Sequence, residues 1–459
     1  MKFRSIFDKV AWSSVIVLSL FTAGMVWAGD FTQPVVQYFN GNDGDISPQS
    51  AQFLLRFNRL MDTKSVESGF QIVPATQGQF SWSGRTFAFT AKEPLRYDEH
   101  YTITLKGARD LQGKVLADSV FQAHSTSSSL FFLDEKGSLN QLLLPAAKQS
   151  SLTSQDLFVQ QFAVSPFGDM LAFLATQRSG SNFHDRSSFH LYILNIRTKA
   201  LTELSLLNGL VLDNITWLPD NSGIAYTFVD VASSKEGLAW YDLVSQKSTD
   251  IAPGKARAYE FAFTPDGSKV AYIDTNGALI LGDMPSGNGA LVATVFNDLV
   301  GFASSGEYLA YIAPKNVNAF DLTNVPVLVT GDGDERKIPV PDSTSFDMQF
   351  FPMTKKLIWT LEKDIGIGRQ DTLVSYDLEK NVLATLVEKN DCAALHPQVS
   401  PDETVVTWLC AKSDNKGYVL TGWNDYQGKI ITGEIWMKDL VTGAERDLGI
   451  KGADLAWGK

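Results

Sequence analysis

Between residues 31 and 125, apolar and polar residues alternate over short stretches with turn residues between them. "AQFLLRFN" (51–58), "TFAFTA" (86–91) and "YTITLKG" (101–107) each alternate or are wholly apolar, the pattern of half-buried and sandwiched strands. Strands at this spacing over this length predict an immunoglobulin-like β-sandwich.

From residue 126 to 459 the grammar changes to a repeat. A strand, a tight turn and a second strand recur six times: "FAVSPFGDMLAFLA" (162–175), "ITWLPDNSGIAYTF" (215–228), "FAFTPDGSKVAYID" (261–274), "VGFASSGEYLAYIA" (300–313), "MQFFPMTKKLIWTL" (348–361) and "HPQVSPDETVVTWL" (396–409). Each is followed by a second unit in which an apolar strand ends near an Asp or Asn and a polar turn leads to another strand. These copies begin at residues 191, 238, 279, 317, 373 and 435, and a seventh begins at Leu139, ahead of the first hairpin. Self-similarity at a period of roughly 40 to 56 residues is the mark of a propeller. "SLFFLDEKG" (129–137) and "ADLAWGK" (453–459) are left over at the two ends of the repeat region. Joined to the seventh copy they make one more four-stranded sheet, so the expectation is a seven-bladed β-propeller closed by a composite blade. Pairing the two ends leaves no open interface between first and last blades. In the repeated turn, Pro265 and Gly267 suit the second and fourth positions of a type I turn, and Asp266 can hold the backbone between them.

The residues also carry resemblances. "GNDGDISPQSAQFLLRFNRLMD" and "FSWSGRTFAFTAKEPLRYDEHYTITLKGARDLQGKVL" resemble the Ig-like modules of bacterial surface-layer and related envelope proteins. The matching positions are Phe57 to Asp62, then Pro94, Leu95 and Tyr101, then Asp110 to Gly113. This resemblance implies a spacer or adhesion module without chemistry of its own. The Ser/Thr-Pro-Asp-Gly turns, at Thr264 to Gly267, Pro219-Asp220 and Ser400 to Asp402, resemble the propeller repeats of TolB and of the prolyl oligopeptidase group, related in form to WD repeats. Phe167, Ser305 and Met353 depart from the Asp of that pattern. A propeller fold hosts many functions, so this resemblance speaks to fold.

Residues 1–30 read as a targeting device. Lys2, Arg4 and Lys9 precede an apolar run from Val10 to Val26, and Val26 and Ala28 stand where a signal peptidase reads small residues. Trp12 and Trp27 flank the run as interfacial anchors would, so cleavage and an uncleaved N-terminal transmembrane anchor both remain open. Either way the rest of the chain is expected outside the cytoplasm, in the periplasm or at the cell surface. The expected organisation is thus a signal peptide or anchor (1–30), an Ig-like sandwich (31–125) and a propeller (126–459).

Charge and composition narrow the partners. The chain has 459 residues, a formal net charge of -12 and 44% hydrophobic residues. It is globular throughout, and its acidity argues against a nucleic-acid partner. Cys392 and Cys410 lie on either side of the turn at 400–403. If Ser400 faces Glu403, Cys392 faces Ala411, so a disulfide requires a small bulge; two buried free thiols are the alternative.

Motifs that carry chemistry are scarce. "GFASSG" (301–306) does not have the spacing of a nucleophile elbow, and "GADLAWGK" at 452–459 has the wrong spacing for a phosphate loop and lacks its Ser/Thr. His100, His124, His184, His190 and His396 are scattered; His184 and His190, beside Asp185, form a local cluster that reads as a polar loop entering a strand. The Asp-rich runs at 41–45 and 331–335 read as solvated turns rather than calcium loops. No catalytic residue, cofactor or metal is therefore assigned. Tyr241, Trp359, Trp408 and Trp436 read as blade packing. Tyr418, Trp423 and Tyr426 fall in a long insertion (411–433) that suits a partner-binding loop, or an extra hairpin packed on its own blade. The favoured expectation is an exported, non-enzymatic interaction or scaffold protein of the cell envelope, its propeller loop face binding another envelope or membrane protein complex. The alternative is a propeller holding a sugar or metal ligand, or a hydrolase or lyase using the central channel.

Overall fold

The structure is a computed structural model describing residues 6–458, apart from 29–32, 43–44, 47–50, 93–94, 97–98, 126–127, 145–146, 180–184, 207–209, 317–322, 342, 365–368, 390, 412–429 and 431. The chain divides into two compact units, 1–126 and 127–459.

The first unit begins with a helix, α1 (Ile6–Ala28). Within it Val10, Val15, Ile16, Val17, Leu18, Leu20 and Phe21 are all exposed. Among the residues whose side chains are described, no helix is long and apolar enough to cross a membrane. A two-layer sandwich follows. One sheet runs in the order Val36–Phe39, Gln52–Phe57, Thr86–Ala91, Gly78–Ser83, and the other in the order Phe70–Val73, His100–Leu105, Ser119–His124. Alternation in sequence becomes alternation in burial: Phe53, Leu55 and Phe57 point inward from one strand and meet Phe87, Ile103 and Leu105 in a core sealed by Val66 of a short helix (Thr63–Gly69). Asp110 organises the turn between His100–Leu105 and Ser119–His124. Its Oδ1 accepts from the N–H of Gln112 and of Lys114, both at 2.9 Å, and its Oδ2 lies 3.3 Å from Arg59 Nε. The Asp-x-x-Gly signature is therefore a structural device.

The second unit is a seven-bladed propeller. Five antiparallel four-stranded sheets, blades 1 to 5, start at inner strands Leu157–Val164, Leu210–Trp217, Ala256–Phe263, Asp298–Phe302 and Thr344–Phe350. A sheet of seven strands supplies the other two blades. Its long strand Glu445–Trp457 pairs on one side, through Glu445 to Gly452, with Gly433–Asp439, and on the other, through Ala453, Ala456 and Trp457, with Ser128–Leu133. Blade 6 thus comprises Ala393–Val399, Val405–Ala411, Gly433–Asp439 and the first part of the long strand. The closing blade takes the last part as its inner strand and adds Ser128–Leu133, Leu139–Leu144 and Lys148–Ser151. Successive inner strands touch all the way round, the closing blade against both blade 6 and blade 1. The composite blade anticipated from the leftover ends is present.

Blade position explains the residue pattern. Second strands are packed between neighbouring blades on both faces, so Met170–Gln177 and Gly223–Asp230 are nearly continuous apolar runs. Outer strands such as Lys148–Ser151 and Leu201–Glu203 are exposed along their whole length. At the repeated turn, Gly267 has φ +70° and its N–H reaches Thr264 O at 2.8 Å. Asp266 accepts from Thr264 Oγ1 at 2.6 Å and Ser268 N at 3.0 Å.

Two registers differ from the expected ones. In blade 4 the second unit, read from 317, is displaced: the third strand is Asn324–Thr330 and the fourth Glu335–Lys337. The turn between them is therefore the Gly/Asp run at 331–334, whose Gly333 sits at φ +87°. Glycine supplies the positive φ a tight turn needs, and that outweighs the Asp and Asn at 321–324. In blade 6 the hairpin pairs Val399 with Val406, and beyond the bulge between Leu395 and Gln398 it is Ala393, not Cys392, that faces Ala411. Cys392 and Cys410 are joined as a disulfide with Cα atoms 5.4 Å apart, tying the approach to the inner strand of blade 6 to the end of its second strand.

Candidate functional site

An inner strand has a pairing partner on one side only, so its axial edge carries N–H groups that no strand satisfies. Each of the seven inner strands is also bulged near its middle. The residue at or beside the bulge is polar in most blades: Gln161, Asn214, Glu260, Asp347, His396 and, in the closing blade, Asp454. Asn214, Asp347, His396 and Asp454 have φ between +44° and +51°, a conformation that Asn, Asp and His tolerate better than other side chains. Blade 4 has Leu299 at this place, with Asp298 before it.

These side chains serve the neighbouring blade. Gln161 Oε1 accepts from Ile215 N at 3.4 Å, Glu260 Oε2 from Leu299 N at 3.0 Å, and Asp347 Oδ2 from His396 N at 3.0 Å. Each acceptor belongs to one blade and caps the axial edge of the next. The result is a polar throat formed of residues far apart in sequence.

Charge concentrates on one arc of it. Glu260, Asp298, Asp347, His396 and Asp454 come from five successive inner strands. Asp298 is hydrogen-bonded to Glu260; burial above all, then Glu260 and Asp347, pushes its carboxyl up to about 7. Burial likewise raises Asp454, against the pull of His396. His396 Nδ1 lies 3.7 Å from Asp347 Oδ1. A carboxylic acid that keeps its proton up to near neutrality can donate and accept protons there, and perturbed groups of this kind mark candidate sites. Two surface depressions, of about 330 Å³ beside Asp266 and Gly306 and about 510 Å³ beside Lys255 and Asp274, contain none of these residues. We take the throat over them because the perturbed groups converge there. Among the described residues, no group of three or more His, Cys, Asp or Glu is arranged to hold a metal.

The residues singled out in the sequence lie elsewhere. Tyr418, Trp423 and Tyr426 fall outside the described residues, as does His184. The segment that carries the three aromatics joins Val405–Ala411 to Gly433–Asp439. On its return leg, buried Ile430 donates from its backbone N to Glu135 O of the closing blade at 3.0 Å. His190 is exposed and pairs with Glu203 at 3.0 Å. Tyr241, Trp359 and Trp408 are buried between blades, and Lys389 Nζ sits 3.9 Å from the ring centre of Trp436.

The fold defines the class, a bacterial Ig-like domain followed by a β-propeller. Residues 30–126 match the bacterial Ig-like domain family. A search of curated proteins finds no match. Solved structures similar to the chain are β-propeller proteins. TolB from Acinetobacter baumannii is 10% identical with a TM-score of 0.43, over 85% of this chain and 83% of that one. An oligogalacturonate lyase from Vibrio parahaemolyticus is 13% identical with a TM-score of 0.47, over 70% and 84%. A prolyl endopeptidase is 11% identical with a TM-score of 0.49, over 79% of this chain and 50% of that one.

The lyase and the endopeptidase correct one expectation. Propellers similar to this one occur in enzymes, so the non-enzymatic assignment drawn from missing motifs does not stand. Its physical weakness is plain in the throat. Motif searches look for functional groups close in sequence, whereas a propeller gathers one residue from each blade.

Proposed function

We propose that the chain is an extracytoplasmic protein of the bacterial envelope that engages another envelope protein or complex through the loop face of its propeller. The observation that carries this reading is topological. In an antiparallel four-stranded blade, the first and third connections share one face and the second connection shares the other with the link to the next blade. The first connections here are tight turns, as at 264–267 and 400–403, whereas long second connections occur at 178–189, 315–323 and 412–432. The strand ends that flank them lie on a single face. Irregular connections held by a rigid scaffold are where binding residues concentrate. Export is supported by the Ig-like match at 30–126, by the disulfide and by the exposed apolar helix α1. In this reading α1 directs export or stays in the membrane.

The test is in-cell cross-linking and recovery from the native envelope, comparing the full chain with a variant in which residues 412–432 are replaced by Asn-Gly. A loss of recovered partner of about tenfold, the equivalent of about 1.4 kcal/mol, is expected; undiminished recovery overturns the assignment of this loop. Intact-mass measurement of the purified N-terminus distinguishes a cleaved leader from a retained anchor.

A further inference from the structure

We propose that Glu260 and Asp298 form a proton-operated latch between blades 3 and 4 of the propeller, closed when the two carboxyls share a proton and released when both are ionised. Glu260 stands on the inner strand Ala256–Phe263 and Asp298 begins the inner strand Asp298–Phe302. The blade 4 strand is short, and its bulge after Leu299 leaves few ladder bonds to hold it. Its axial edge depends on Glu260, whose Oε2 accepts the Leu299 N–H at 3.0 Å. The side chain that caps this strand is therefore hydrogen-bonded to the strand's own first carboxyl. When a proton lies between the two, Glu260 bonds Leu299 and Asp298 at once. When it leaves, two like charges face each other across the blade boundary, and the cap on Leu299 is the contact they strain.

The surroundings set the direction. The charges acting most strongly on Asp298 are Glu260, from blade 3, and Asp347, from blade 5; both are acidic, and burial works with them. Ionisation of Asp298 is thus opposed from both neighbouring blades, and the pull the other way comes from the Leu299 N–H, which Glu260 and Asp298 share. On the far side of Asp347 lies His396, which faces Asp347 and Asp454.

The experiment is amide hydrogen exchange on the full chain, following a peptide that covers 298–302 at pH 5.5 and pH 8.5, corrected for the intrinsic dependence of exchange on pH. Protection in the native protein is expected to fall about tenfold or more at the higher pH, as one pK unit of lost interaction entails. A peptide from the blade 1 inner strand, Leu157–Val164, should keep its protection. Asp298→Asn and Glu260→Gln each replace the shared proton by an amide N–H, so either variant should hold the 298–302 peptide equally protected at both values; if one fails to fold, the other decides. The latch is overturned if native protection is the same at both values, if all blades lose protection together, or if the folded variants lose it as the native chain does.

Discussion

Asp110, Asp266 and Asp298 show three uses of a carboxylate. Asp110 is buried and satisfies two N–H groups and Arg59. Removing it leaves both N–H donors without their acceptor and takes the counter-charge from Arg59, so Asp110→Ala should lower stability by about 3 kcal/mol, read as a lower denaturant midpoint for the Ig-like unit. Asp266 is held down to about 2, by the hydroxyl of Thr264 first and then the N–H of Ser268. Its contribution is present above the ordinary Asp range and is lost as pH falls toward 2. Asp298 has the opposite sign. Its carboxyl is raised to about 7, so its contribution is fully present below about 4 and disappears as pH rises through neutrality. Thermal unfolding of the native chain should therefore show a midpoint that declines between pH 5 and 8, and Asp298→Asn should flatten that decline. Asp266 was legible in the sequence because a turn is a local object, specified by Pro265 and Gly267 beside it. The throat residues were not, since each comes from a different blade and only the closed ring brings them together. A signal did exist: Gln161, Asn214, Glu260, Asp347 and His396 each lie five residues before the proline of the hairpin turn.

At the scale of elements, the repeat predicted most strands because each blade position has its own burial. Second strands such as Met170–Gln177 and Gly223–Asp230 are largely apolar, outer strands are more exposed, and most first hairpin turns carry Gly or Asp. The misplacement in blade 4 arose because two turn-like stretches, 321–324 and 331–334, lie on either side of the third strand Asn324–Thr330, and the turn to the fourth strand is the one with two glycines. The pairing around the disulfide of blade 6 depended on where the hairpin turn closes and on the bulge beside His396. Cys392 and Cys410 are 18 residues apart, and cross-linking a loop of that size constrains the unfolded chain by about 3 kcal/mol. The purified native protein should show no reactive thiol until it is denatured and reduced. Cys392→Ser paired with Cys410→Ser should unfold at a lower denaturant concentration by a corresponding amount.

The whole molecule joins a small sandwich to a closed ring, and the ring depends on a single strand shared by two blades. Truncation before Ala453 leaves the closing blade without its inner strand and uncovers sheet edges on both sides of the gap. Such a chain is expected to self-associate, visible as a shift from a discrete peak to large species in size-exclusion chromatography. The pairing of Ala453 with Leu133 also bears on the order of assembly. The segment that completes the circle is synthesised after all the blades it must join, and bringing its ends together is the most non-local step the propeller has to make. A partly made propeller therefore stays an open string of hairpins, and it becomes a closed ring only once the strand that pairs with Ser128–Leu133 has been added.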